Sequence, residues 1–271
     1  MTVRCYTVKD GGNSMILCVD CGNTLIKIGS LEDGKVMAPI IRIETSLNKT
    51  MYEYASDIDR ILRLLKIPVH DAEGVVLSSV VPPLTDILSD ALHLITGKRA
   101  LVVGVGTKTG LKLQIDDPGT VAADLVTAAV GAKKSCPLPA IIVSMGTATT
   151  ITVVNEAGAY IGGVIMPGVS ISMQALARET SLLPSIEISA PKKVICTSTA
   201  DSMKAGIVYG AAGAIDAVID RFEQELGRPA ASIIATGGQA RTITRYCRHK
   251  ILLDENLQME GLGEIWRLNR G

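Results

Sequence analysis

The chain has 271 residues, 47% hydrophobic and 20% charged, with 27 Lys and Arg balancing 27 Asp and Glu. That length accommodates two domains or one large α/β unit, and a net charge of zero argues against a nucleic-acid or anionic-membrane surface. Aromatic residues make up only 3%, so packing relies on Val, Ile, Leu and Ala, and no uninterrupted apolar run is long enough to span a membrane.

Residues 1–14 lack the apolar stretch of a secretion signal and precede Met15, a natural start, so they read as an extended start or leader remnant. The six cysteines are scattered. Cys18 and Cys21 form a CxxC with no second pair to complete a zinc site. Reduced thiols in a cytoplasm are the expectation.

Residues 16–19 are an apolar run, read as a buried strand. The run ends in a polar turn, Asp20-Cys21-Gly22-Asn23-Thr24, and the chain returns through Leu25, Ile26 and Ile28. Asp20 offers a hard oxygen for magnesium, Gly22 lets the backbone approach a ligand, and the turn N–H groups can face an anion. An ordinary hairpin with a solvated Asp has the same local pattern. Residues 31–34 read as a hairpin tip, 35–45 as a strand, 50–67 as a helix, 74–81 as a buried strand halted by Pro82 and Pro83, 85–96 as a helix and 100–105 as a strand. This alternation is that of an α/β domain.

Asp117 and Pro118 predict a helix start, with the helix running to about residue 133. Val121, Asp124 and Ala128 then share a face, and Asp124 lies too far in to be a cap or a first-turn acid. A carboxylate on an apolar face needs partners or a task, unless it sits at the edge of that face and bonds a neighbouring turn. Residues 140–163 repeat the opening unit: Val143-Ser144-Met145-Gly146 matches Val19-Asp20-Cys21-Gly22. Glu156 and Gly158 follow at the spacing of Glu32 and Gly34. That is an internal duplication, and two such units can hold one polyphosphate. Residues 146–150, GTATT, have the small and hydroxyl side chains of a phosphate-facing turn.

Residues 162–168 predict a backbone bend into a helix from about Ser170. Residues 198–226 predict a long helix with Thr199 as its cap and with Gly206, Gly210 and Gly213 permitting close approach of another element. Residues 232–235 predict a short strand before Thr236-Gly237-Gly238-Gln239-Ala240, a turn on which a flat ring could lie. Residues 260–268 predict a terminal helix. His70, His93 and His249 stand in no catalytic or metal constellation.

The strand–DxGNT, strand–GTAT and strand–TGG turns together resemble the acetate kinase, sugar kinase, Hsp70 and actin superfamily. That resemblance implies an α/β fold of two duplicated ribonuclease-H-like (actin-like ATPase) domains with a nucleotide cleft between them. The expected domains are 15–118 and 119–271, the terminal helix packing back on the first. An ordered series of motifs resembles type III pantothenate kinases along nearly the whole chain: DCGNT at 20–24, SSVVPPLT at 78–85, KTGL at 108–111, DDPGTVAAD at 116–124, GTATT at 146–150, STADSMKAGIVYG at 198–210 and ATGGQA at 235–240.

The resemblance implies transfer of the ATP γ-phosphoryl group to the primary hydroxyl of pantothenate, the first step of coenzyme A synthesis, by a homodimer with the pantothenate site at its interface. By resemblance, Asp20, Cys21, Gly22, Asn23, Thr24, Leu25, Ile26 and Lys27 form the first phosphate loop, with Asp20 near Mg2+. Thr147 contacts ATP from the second loop, Gly237 and Gly238 form the adenosine turn, Asp124 is the general base and Thr199 touches pantothenate. Two positions depart from the family pattern. Where the family reads GADR, this chain has Ala122-Ala123-Asp124-Leu125, at the substrate side. Where the family's second turn opens on an Asp that binds an activating K+ or NH4+, Ser144 stands. An active kinase with altered cation dependence is the leading expectation. A non-catalytic nucleotide- or pantothenate-binding protein and a phosphohydrolase of the same superfamily are the alternatives.

Overall fold

The computed structural model describes residues 15–270; the leader reading of residues 1–14 falls outside them. The chain forms two compact units. One contains the described residues up to Gly110, with Ala122–Thr127 and the segment from Gln258; the other contains Leu111–Val121 and Ala128–Leu257.

In the first unit, β1 (Met15–Cys21) and β2 (Leu25–Glu32) form a hairpin with β3 (Lys35–Val36) and β4 (Ile41–Glu44) beyond it. The helix α1 (Met51–Leu64), strand β5 (Gly74–Ser79), helix α2 (Pro82–Thr96) and strand β6 (Ala100–Val102) follow. The sheet order is β3-β2-β1-β5-β6, with β4 also on β2. The β1 pairing with β2 is antiparallel, and those of β1 with β5 and β5 with β6 are parallel. Thr50 caps α1 in a reciprocal capping box with Glu53, which satisfies two orphan N–H groups. Tyr54, Ile58 and Leu62 then enter the core at helical spacing. Pro82 and Pro83 start α2 rather than merely halting β5, since neither first-turn N–H is needed.

In the second unit, β7 (Lys112–Leu113) precedes α3 (Ala123–Ser135), β8 (Ala140–Met145), β9 (Ala148–Val154), β10 (Ala159–Pro167) and α4 (Val169–Glu179). Then come α5 (Thr199–Leu226), β11 (Ser232–Thr236), α6 (Ala240–Ile243), β12 (Leu252–Leu253) and α7 (Leu257–Asn269). The first turn of α3 and nearly all of α7 belong to the first unit. The order β12-β11-β8-β9-β10-β7 repeats the first sheet: β8 is antiparallel to β9 and parallel to β11, and β11 is parallel to β12. The turn glycines Gly34 and Gly158 share left-handed φ values of 74° and 72°, so the matched spacing in sequence is a matched hairpin in the fold.

Several expectations are corrected. Asp20 and Cys21 belong to β1, and the turn is only 22–24. Residues 35–45 make two short strands, because Pro39 lies between them and cannot donate to a ladder. Residues 162–167 are strand, paired to β9 down to Pro167. Asp117 caps a single 3-10 turn at Pro118–Thr120; Val121 is extended, and α3 begins at Ala123. Asp124 is therefore a first-turn acid after all. The α5 cap is Ser198, whose side chain accepts from Asp201 N, and Thr199 is the first helical residue. Gly206, Gly210 and Gly213 have no neighbour within 4 Å of a would-be Cβ, so no described element uses the close approach they permit.

By length and composition α5 could cross a membrane. Met203, Ile207, Val208, Ile215 and Ile219 instead sit buried in the second unit. Its buried Asp216 accepts from Arg248 N at 2.7 Å and His249 Nδ1 at 2.9 Å. That agrees with a structural His249. Cys18 and Cys21 are buried on opposite faces of β1. Burial raises both thiols, Cys21 to about 11.

Candidate functional site

In β1, Leu17, Val19 and Cys21 face the core formed with α1 and α2, so Asp20 faces the other way. It stands beside Lys27 of β2 and Ser78 of β5, and the three make one row across the sheet. Lys27 Nζ lies 3.4 Å from Asp20 Oδ2 and donates to Gln258 Oε1 at 2.6 Å. Gln258, in the first turn of α7, is buried. Asp20 is only 3% exposed, and its Oδ1 has no hydrogen-bond partner; neither has the buried Ser78 Oγ. A buried carboxylate oxygen left over after its ion pair fits a hard cation, because Mg2+ takes one or two protein carboxylates and keeps several waters.

The first turn is braced by the residue that follows β4: Thr45 Oγ1 donates to Gly22 O at 2.7 Å, and Thr45 N to Thr24 O at 3.0 Å. Gly22 N donates to Leu25 O at 3.1 Å, while Asn23, Thr24 and Leu25 are exposed. Cys21 and Ile26 are fully buried in the core, which leaves their main chain alone to face a ligand.

Asp124 is half-buried, and its Oδ1 accepts from Leu125 N at 2.9 Å. Burial first, then the nearby Asp20 charge, raises its carboxyl above the ordinary range, against the Leu125 N–H and the Lys27 charge. A carboxylate tuned upward is better matched to accepting a proton near neutral pH. Ala122, Ala123 and Leu125 offer it no side-chain hydrogen bond, so the stabilisation of an Arg at the fourth position is absent.

The second unit builds the equivalent turn with less charge. Ser144 of β8 stands beside Thr150 of β9 and Thr236 of β11. The turn proper is only Gly146-Thr147, with Gly146 N donating to Ala148 O at 3.0 Å; Ala148–Val154 is already β9. Two glycines hold it: a Cβ on Gly168 would collide with Thr147 O, and one on Gly237, at φ 100°, with Met145 O. Gly238 is open. A row of neutral hydroxyls does not fit the carboxylate-based monovalent-cation site of the family pattern. Among the described residues no group of three or more His, Cys, Asp or Glu could hold a metal. Thr199 is exposed at the start of α5.

Ser78, Gln258, Thr45 and Gly168 carry parts of these sites that the sequence did not assign. Ser78 lies inside a recognised motif, whereas Gln258 is 231 residues from its partner and had no local signal.

The sequence profile of the type III pantothenate kinases matches residues 16–221. A type III pantothenate kinase of Geobacter sulfurreducens is 39% identical over 256 residues, covering 94% of this chain and all of that one. Another from Dehalococcoides mccartyi is 38% identical over 255 residues, covering 94% of this chain and 98% of that one. The fold is similar to that of the activator of 2-hydroxyisocaproyl-CoA dehydratase from Clostridium difficile, solved with ADPNP (TM-score 0.55, 16% identity, 94% of each chain). It is also similar to a ROK hexokinase from Thermus thermophilus (TM-score 0.52, 12% identity, 95% of this chain and all of that one).

Proposed function

The chain belongs to the type III pantothenate kinase family, and from that premise we propose how its own residues carry the ATP-dependent phosphorylation of pantothenate, the first step of coenzyme A biosynthesis. The observation that carries the assignment of roles is the buried Asp20, with its unpartnered Oδ1 and its half-buried partner Lys27, beside an Asp124 whose carboxyl is raised.

Asp124 is the general base. As the primary hydroxyl oxygen of pantothenate forms its bond to the γ-phosphorus, that hydroxyl's proton passes to the Asp124 carboxylate. The bond from the γ-phosphorus to the ADP oxygen breaks, and ADP leaves with the electron pair. Phosphoryl transfer asks mainly for positioning and charge neutralisation. Lys27 supplies a cation, held in place by Gln258 Oε1. The N–H groups of 22–24 and the Gly146-Thr147 turn contact phosphate oxygens. Asp20 would hold Mg2+, which neutralises phosphate charge. Gly237 and Gly238 form the surface for the adenosine. Thr199, with a hydroxyl exposed to solvent, is a pantothenate contact completed in a homodimer; the exposed apolar side chains Ile165, Leu182, Val194 and Ile195 on the same unit support a covered face there. The enzyme works in the cytoplasm.

Purified protein given ATP, Mg2+ and pantothenate should form phosphopantothenate, and Asp124→Asn should form it about 10²–10⁴-fold more slowly. Phosphate release that pantothenate fails to accelerate would reject the assignment of Asp124 as the acceptor-activating base.

A further inference from the structure

Of the two adjacent serines at the end of β5, Ser79 is fully engaged. Its Oγ accepts from Val81 N at 3.2 Å and pairs with Thr85 Oγ1 at 3.0 Å, which ties the strand to the start of α2. Ser78 is different. It is completely buried, and its Oγ has no partner. It occupies the sheet face opposite the α1 and α2 core, beside Asp20 in register. Asp20 Oδ1 is likewise buried and unpartnered, although Lys27 reaches Oδ2. Two adjacent strands thus each bury one unsatisfied oxygen in the same row. Buried polar groups are ordinarily hydrogen-bonded, and a native exception calls for an explanation such as an ion or a water. A hydrophobic residue at 78 would remove the cost, and the three residues before it on β5, Val75, Val76 and Leu77, are apolar.

We propose that Ser78 is a positioning residue for the cation that accompanies ATP: its hydroxyl and Asp20 Oδ1 together hold the hydration shell of Mg2+. Magnesium usually keeps several of its waters, and loss of a group that orients a metal's ligands typically costs about 10–100-fold in metal affinity. Lys27 fixes one oxygen of Asp20, which leaves the other to face the shell that Ser78 completes. This rests on Asp20 being the cation-binding carboxylate, so the test separates the two claims.

Mn2+ is titrated into the full chain with a non-hydrolysable ATP analogue and followed by electron paramagnetic resonance, using wild type, Ser78→Ala and Asp20→Asn. Ser78→Ala should weaken Mn2+ by about 10-fold and raise the Mg2+ concentration for half-maximal activity by a similar factor. Its kcat at saturating Mg2+ should stay within about 2-fold of wild type, and its melting temperature should be unchanged or higher, since an unsatisfied hydroxyl has been removed. Unchanged Mn2+ affinity in Ser78→Ala, with Asp20→Asn weakened, would overturn the role of Ser78 while leaving Asp20 in place. Unchanged affinity in both variants would overturn the Asp20 assignment as well. A lower melting temperature with unchanged Mn2+ affinity would make Ser78 a structural hydroxyl and end the proposal.

Discussion

The two sheets share a strand order but carry different chemistry on equivalent rows. Across the first run Lys27, Asp20 and Ser78: an ion pair with two unsatisfied buried oxygens. Across the second run Thr150, Ser144 and Thr236: three neutral hydroxyls. The duplicated backbone therefore fixes where each turn lies, while the charge beside it is concentrated in one copy. Strand pairing depends on main-chain hydrogen bonds and on the apolar face, so it tolerates an exchange of Asp for Ser on the opposite face.

Removing the base should have the largest effect. Asp124→Asn should cut kcat by about 10²–10⁴-fold, the usual range for general-base loss, with KM for ATP little changed. The same variant tests the cause of the raised carboxyl. A carboxyl whose pKa is raised by folding binds its proton more tightly in the folded state. That stabilisation is complete below the unfolded pKa and is lost as pH rises through the folded one. The charged Asp124 is then a cost at neutral pH, and Asp124→Asn should melt above wild type at about pH 7, with the gap closing toward about pH 4. Equal melting temperatures at both pH values would show that burial and Asp20 do not strain this group. For the wild type, the acidic limb of kcat/KM should fall above the ordinary Asp range.

Next in size is Lys27→Met, which removes the proposed phosphate-binding cation and takes from the buried Asp20 its ion-pair partner. It should lower kcat/KM by about 10²-fold or more and also destabilise the fold, because breaking a buried pair strands the remaining charge. Gln258→Leu should do less, raising KM for ATP severalfold with kcat nearly kept, since it frees Lys27 without deleting it.

Ser144→Asp bears directly on the unequal rows. If charge at this position is what the second copy lacks, the variant should acquire activation by K+ or NH4+, while wild type shows little dependence on either in rate assays. No change with either ion would show that this hydroxyl row does not limit the enzyme. The smallest catalytic effect should come from Gly237→Ala. It places a methyl against Met145 O at a left-handed φ, so it should lower the melting temperature and raise KM for ATP more than it alters kcat.

Much of this was legible without coordinates. The apolar runs, the helix start at Ser198-Thr199 and the equal spacing of Gly22 to Gly34 and Gly146 to Gly158 rest on local chemistry. Local chemistry also predicted both hairpins, α1, α2 and α5. The errors came where a short-range signal was outvoted by something further along. Asp117-Pro118 is a good helix start, yet it closes only one 3-10 turn because Val121 is extended. The glycines at 162–163 looked like a bend, but pairing with β9 draws them into strand β10.

By itself the sequence determined the α/β class, the duplication, the family and the presence of Asp20 and Asp124, because each depends on residue type and spacing along the chain. Tertiary structure decided what those carboxylates experience. Asp20 acquired Lys27 through hairpin register, Gln258 through packing of the terminal helix and an unsatisfied Oδ1 through burial. The opening turn could therefore be read as an ordinary hairpin until β5 and α7 covered its carboxylate. Sequence spacing cannot encode that environment, since desolvation and partner distance are set by strands and helices that meet only in the fold.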